Sequence, residues 1–363
     1  MTTLRESVGV GRLLAVVATL VVAALALAGG DDPAALVGVA VDVLPRVARI
    51  AVFIAFGVFL ANLAVGFGVV ERVAGLSRYL TRPANLPDEV GTAILTTAAS
   101  TTAGYGMLAE FRESGRLDDR ATLVAVTINT FFGFVQHIFT FYVPVLIPIL
   151  GLEVGVLYVG SRALVALGIT LAGVAAGALL LSSEGADRAA TATTDGGDTG
   201  DASTVPGVDD DGPDTSREVV EHAWDRTVPT LRRIVPRLAV VYTLVVVLTR
   251  TYDVTALTSA ADPLATLVGL PGASIPVIAV FALDTTAGAA TIAPLVGVEF
   301  TPRQAVATML LGGIVSFAVS TFKRSIPFQY GIWGPAFGSK VVVVNTALKV
   351  VFIGLAVALV LAV

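Results

Sequence analysis

The 363-residue sequence contains no cysteine. That absence removes disulfides, thiolate metal sites and thiol catalysis together. Histidine occurs only as His137 and His222, too few for a histidine-rich metal centre. Charge is scarce as well: 14% of residues are Asp, Glu, Lys or Arg, too little polar material to coat a soluble fold of this length. There is no G-x-x-x-x-G-K-[ST] run, so the chain carries no P-loop energy source. It also lacks H-E-x-x-H or any paired-ligand spacing, and Gly66-Phe67-Gly68 has no strand context for a dinucleotide fingerprint. The expectation is therefore a non-enzyme without a catalytic residue, a cofactor or a bound metal. Nucleic acid is not expected as a partner, because the net charge is −5 and the basic residues gather at helix ends.

What is present is apolar. Hydrophobic residues make up 55% of the chain and the mean hydropathy is +0.85. Nearly uncharged runs cover Leu13–Ala28, Ile50–Val70, Ala121–Leu150, Ala163–Leu181, Leu238–Leu248, Ala305–Thr321 and Val341–Val363. Backbone groups inside a bilayer must bond internally, so continuous runs of this kind read as helices. Alternating barrel strands do not fit them. The lipid bilayer is the first expected partner, and self-association into a homo-oligomer is compatible with the sequence.

Two segments stand apart. Residues 1–30 place Arg5 and Arg12 before an apolar stretch ending Ala26-Leu27-Ala28. They read as a retained first transmembrane helix or as a cleavable signal segment, with retention favoured. Residues 182–217 are rich in Gly, Ala, Thr and Asp, with the run Asp209, Asp210, Asp211. Such a stretch cannot bury enough surface to fold and reads as an acidic disordered linker. Its acidity would suit a halophilic archaeon. The division is then 31–181 for a first membrane unit and 218–363 for a second.

The two units read as copies of one another. A shift of 184 residues carries Leu44-Pro45 onto Val228-Pro229, Leu86-Pro87 onto Leu270-Pro271, and Thr101-Thr102-Ala103-Gly104 onto the identical Thr285-Thr286-Ala287-Gly288. After a one-residue gap, a shift of 183 pairs Arg120 with Arg303, Pro144 with Pro327, Gly151 with Gly334 and Gly155 with Gly338. The predicted plan of each repeat is a helix from Pro45 or Pro229, a Thr/Ala/Gly-rich segment (Gly91–Ala109; Ala273–Val296), a long helix, and a closing helix (Val156–Leu181; Lys340–Val363). If the Thr-rich segments enter and return, the clusters at Arg72–Arg82, Arg112–Arg120 and Arg226–Arg237 share one side with Lys323-Arg324. That is a positive-inside pattern with a cytoplasmic linker. The fold class expected is an all-α polytopic membrane protein of two tandem, inverted repeats with re-entrant or broken helices.

This architecture recurs in secondary transporters, whose interrupted helices expose backbone dipoles near the membrane midplane. Ser100, Thr101, Thr102 and Gly104 form the first candidate interruption. Asp284, Thr285, Thr286 and Gly288 form the second, with Asp284 a costly group unless it meets a cation, a proton or a donor. Thr122, Asn129, Gly133, Gln136 and Thr140 fall on one stripe of the first long helix, and Asn129 and Gln136 serve either interhelical hydrogen bonding or a solute pathway. His137 reads as a packing residue, while Gln329, Trp333 and Asn345 are weaker cavity candidates. A multi-pass permease of the cell membrane, moving a small molecule or ion, is the expected function. A non-transporting membrane scaffold assembled with a partner protein is the alternative.

The run Thr101-Thr102-Ala103-Gly104-Tyr105-Gly106, followed by Leu108-Ala109-Glu110-Phe111, Gly115-Arg116-Leu117 and Asp119-Arg120, resembles the nucleoside-recognition (Gate) domain family of membrane proteins, in its two-domain archaeal form. Tyr142-Val143-Pro144-Val145-Leu146-Ile147-Pro148 is similar to the same family. The resemblance spans roughly residues 44–160 and 228–363. It implies a gate-like fold and a transporter's gating, shared with ferrous-iron transporter B, concentrative nucleoside transporters and spore-maturation membrane proteins. Iron-permease gates continue their Gly-aromatic-Gly element with cysteine, where this chain has Met107. A nucleoside-like molecule or an ion is the expected solute, while the resemblance itself implies fold and gating and not the substrate.

Overall fold

The computed structural model describes residues 33–67, 78–181, 216–251, 262–321 and 325–362. The segment 1–30, nearly all of the acidic linker, Arg72, Lys323 and Arg324 lie outside the described residues. Among the described residues the fold is all-helical, apart from one isolated bridge between Val296 and Phe300. Four helical stretches are long and apolar enough to cross a membrane: Val41–Leu60, Asp119–Leu150, Leu152–Leu180 and Ile326–Ala362. Their outward faces carry large apolar side chains such as Phe56 (65% exposed), Leu164 and Leu355. In water that surface would drive aggregation; in lipid it is the solvated face. The chain is an all-α membrane protein.

α1 (Pro33–Gly66) is followed by α2 (Asp88–Ala99), α3 (Thr101–Glu113) and α4 (Asp119–His137). A π-helical segment, Ile138–Leu146, extends α4 before α5 (Leu152–Leu180). The second unit holds α6 (Ser216–Thr251), α7 (Ser274–Leu283), α8 (Thr285–Ile292), α9 (Pro302–Ser320) and α10 (Ile326–Ala362), which is broken at Gly334 into a short first part and the closing helix. Helices expected to begin at Pro45 and Pro229 instead start earlier and run through both prolines. Ser216 and Arg217, assigned to the linker, already lie in α6. The closing helices also start before Val156 and Lys340, because Gly151 (φ 81°) and Gly334 (φ 72°) mark the turns that precede them. Only glycine adopts that conformation without strain.

Both Thr-rich segments are helical hairpins. A Cβ at Gly104 would lie 2.6 Å from the Ala93 carbonyl oxygen, and one at Gly288 would lie 2.5 Å from Phe281 Cα. In a continuous helix, residues seven apart are separated by roughly 10 Å along the axis, so contact between Gly288 and Phe281 requires the chain to reverse. Local geometry recurs at the 184-residue spacing. Asn85 and Gly269 both have positive φ (53° and 71°), and both precede a Leu-Pro whose leucine N–H bonds back to Thr81 or Ala265.

α1 and α6 pack antiparallel. Val43 and Val47, near the start of α1, meet Ala239, Tyr242 and Val246 late in α6, while Asn62 Nδ2 donates to Thr227 Oγ1 near the start of α6, at 3.5 Å. The largest core unites α1, the π segment, α5 and α7–α9. A second joins α2, α3 and α4 to Trp333, Phe337 and Val341 of α10.

Candidate functional site

Each hairpin turns at one residue in extended conformation: Ser100 (φ −144°, ψ 109°) and Asp284 (φ −149°, ψ 117°). Each also caps the helix that follows. Ser100 Oγ accepts from the Ala103 N–H at 3.3 Å, and Asp284 Oδ1 accepts from the Ala287 N–H at 2.8 Å. A short polar side chain satisfies one of the N–H groups that a helix start leaves without an intrahelical partner. The Asp284 carboxylate thus meets a donor, the backbone N–H of the helix it caps.

The two breaks open on different cavities. The larger, about 850 Å³, is lined by Asp284, Thr285 and Thr286 with Asp225, Arg226, Thr230 and Arg233 of α6, Ser316 and Ser320 of α9, and Asn62. The smaller, about 240 Å³, is lined by Thr97, Thr101 and Tyr105 of the first hairpin, Asn129, Thr130, Gly133 and His137 of α4, Arg162 of α5, and Asn345 and Lys349 of α10. They share no lining residue. The π segment runs between them, giving Phe139, Thr140 and Phe141 to the larger cavity and Tyr142 to the smaller. The two breaks therefore line two separate cavities, with residues of the π segment contributing to both.

The stripe on α4 divides accordingly. Asn129 Nδ2 donates to Thr97 Oγ1 at 2.9 Å, and Thr97 donates onward to the Ala93 carbonyl at 3.1 Å. Thr101 Oγ1 donates to Gln136 Oε1 at 3.1 Å. Asn129 and Gln136 therefore tie the first hairpin to α4 on both sides of its turn, and Asn129 also reaches the smaller cavity. Thr140 faces the larger cavity, whereas Thr122 is buried and bonded to the Asp118 carbonyl. Thr102 is exposed and lines neither cavity. Gly104 and Gly288 are packing contacts. His137, whose Nδ1 lies 3.0 Å from the Gly133 carbonyl, lines the smaller cavity. Of the weaker candidates, Asn345 reaches the smaller cavity, and Trp333 Nε1 instead donates to Gln329 Oε1 in the core.

Arg162 and Lys349 escaped the reading of the sequence. The signal was available: Arg162 is the one charged residue between Gly155 and Leu181, and Lys349 the one between Val341 and Val363. A charge at mid-membrane costs roughly 2.5–3.5 kcal/mol on insertion scales, so it needs a local reason. The Arg162 side chain shares the cavity lining with Tyr142, and its guanidinium passes 3.5 Å from where a Cβ would stand at Gly313. Lys349 Nζ sits 3.8 Å from the centroid of the Phe317 ring. Aromatic faces return about 0.5–2 kcal/mol to a cation, less than the insertion cost. No Asp or Glu lines this cavity among the described residues.

No family model matches the chain, and no solved structure matches it. The chain is similar to two uncharacterised proteins of Methanocaldococcus jannaschii. It is 24% identical to MJ0871 over 302 residues, 83% of this chain and 88% of that relative. It is 21% identical to MJ0880 over 317 residues, 85% of this chain and 95% of that relative. Both alignments are too long to be confined to one half of the chain.

Proposed function

We propose that the protein is a secondary transporter or permease of the cell membrane, built from two inverted repeats, that moves a small solute past its two broken-helix hairpins. The observation that carries this reading is the matched pair of turns at Ser100 and Asp284. Each turn has the same extended backbone and the same cap on the following helix, and each belongs to a hairpin that lines a polar cavity. Interrupted helices of this kind place backbone dipoles and polar side chains where a solute can meet them inside the bilayer. A scaffold helix pair gains nothing from polar cavities, which cost packing contacts.

Three further features support the inverted arrangement. Positive φ recurs at Asn85 and Gly269, and at Gly151 and Gly334, and the first helices of the two units are antiparallel. With the linker on the cytoplasmic side, Arg82, Arg116 and Arg226 share that side. Pseudo-symmetry then supplies two conformations of similar energy, one open to each face.

The test is uptake into proteoliposomes, screened over nucleosides, nucleobases, organic anions and divalent cations, with Asp284→Asn as the comparison. Asn keeps an acceptor for the Ala287 N–H and removes the charge. Uptake that is saturable in the wild type and at least tenfold lower in the variant is expected. If no solute moves, the transport reading fails and the scaffold takes its place.

A further inference from the structure

We propose that the smaller cavity binds a small organic anion, a short-chain carboxylate, between Arg162 and Lys349; as cargo for the permease, that anion deepens the reading above. Four observations meet in one place. Arg162 and Lys349 lie on different helices, α5 and α10, and both side chains line the cavity. Sharing one small cavity brings the two positive charges together, and no carboxylate among the described residues lines the space to offset them. The Phe317 ring holds the Lys349 ammonium from outside and Tyr142 lines the cavity with Arg162, but a phenyl ring and a phenol carry no negative charge. Two like charges held together within apolar helices are an arrangement that an anion completes.

Size and wall chemistry narrow the class. A volume of about 240 Å³ equals roughly eight waters at ~30 Å³ each. That is room for an ion of a few carbon atoms. Arg162 presents a planar fork suited to two oxygens of one carboxylate, and Lys349 a point charge. Along the same two helices the lining is aliphatic, formed by Val165, Ala166, Ile169 and Ile353, where a short hydrocarbon tail is desolvated favourably.

The pair is also asymmetric. The 183-residue shift assigns Asn345 to the position of Arg162, and Lys349 to that of Ala166. Each half contributes one cation, at non-equivalent positions.

The test uses the full chain in nanodiscs, titrated with radiolabelled acetate, butyrate and inorganic phosphate, and with uridine as a neutral probe. Saturable butyrate binding is expected, weakened at least tenfold by Arg162→Gln and by Lys349→Met. Arg162→Lys should retain more than either neutral variant, which separates lost charge from lost fold. Failure of all three anions to bind the wild type overturns the proposal. So does butyrate binding that the two neutral variants leave unchanged. Phosphate binding tighter than butyrate overturns the carboxylate class. Uridine binding and uptake without anion binding refute the anion site and leave the transporter standing. Butyrate binding without uptake of any solute leaves the anion site standing and refutes transport.

Discussion

Replacing Gly104 with alanine adds one methyl group where the first hairpin closes. The new Cβ would stand 2.6 Å from the Ala93 carbonyl oxygen and 2.7 Å from the Thr97 backbone nitrogen. Neither atom can swing aside as the end of a long side chain can, so α2 and α3 must separate by nearly 1 Å. Overpacking of this kind costs ~1–3 kcal/mol. The displaced Thr97 hydroxyl is also the acceptor for Asn129, and loss of that buried hydrogen bond adds ~1 kcal/mol. The expected loss is ~2–4 kcal/mol. At ~2 °C per kcal/mol, the low end for large domains, this lowers the melting temperature by about 4–8 °C. Gly106→Ala supplies the control on the same helix, since nothing lies within 4 Å of its added Cβ. Alanine's better helix propensity should leave that variant as stable as the wild type or slightly more so. Thermal unfolding in nanodiscs, followed by tryptophan fluorescence, measures both. Equal melting temperatures for the two variants would refute the close packing of the hairpin.

Gly334→Ala should cost ~1–3 kcal/mol through backbone strain alone, because no atom lies within 4 Å of the added Cβ while φ is 72° and ψ 163°; Gly334→Asn should lose a comparable amount in the same melting assay, since asparagine's tolerance of positive φ does not extend to that ψ. Asp284→Ala should destabilise by ~0.5–2 kcal/mol through loss of the helix cap, while Asp284→Asn stays within ~0.5 kcal/mol of wild type in chemical denaturation. Asp119 accepts from Arg112 at 2.8 Å and from Lys340 at 2.8 Å, joining α3 and α4 to α10 at partly exposed positions. A double-mutant cycle on Asp119 and Lys340 should give a coupling below ~1 kcal/mol that shrinks as salt is raised.

The hairpins were legible because their chemistry is local. A Thr-Thr-Ala-Gly run behind a capping Ser or Asp ends one helix and starts another whatever surrounds it. Gly151 and Gly334 were legible as a repeating pair, though not as the residues that start the closing helices. The prolines misled: Pro45 and Pro229 looked like helix starts, yet each removes only one backbone bond from a long helix whose apolar pattern continues on both sides. The cavities were not legible. A stripe such as Asn129–Gln136 shows which side chains share a face, but the element opposite that face is decided by tertiary packing. The same gap hid Arg162 and Lys349, since each run showed one charge and neither showed that the two charges meet. The π segment was legible only as a disturbance: Pro144 removes one N–H from the ladder between Ile138 and Leu146, but the shift of hydrogen-bond partner that follows is decided by packing.

That segment also has a mechanical consequence. A π turn accommodates one residue more than an α turn, and the surplus can migrate along a helix at the expense of one hydrogen-bond exchange per step. Each step rotates the residue it passes by about one α-helical position, roughly 100°. Because Phe141 and Tyr142 face opposite compartments, one such step would present a different aromatic ring to each. The residues exchanged in such a step would lie on one continuous helix, so the exchange would need no unfolding of the rest of it.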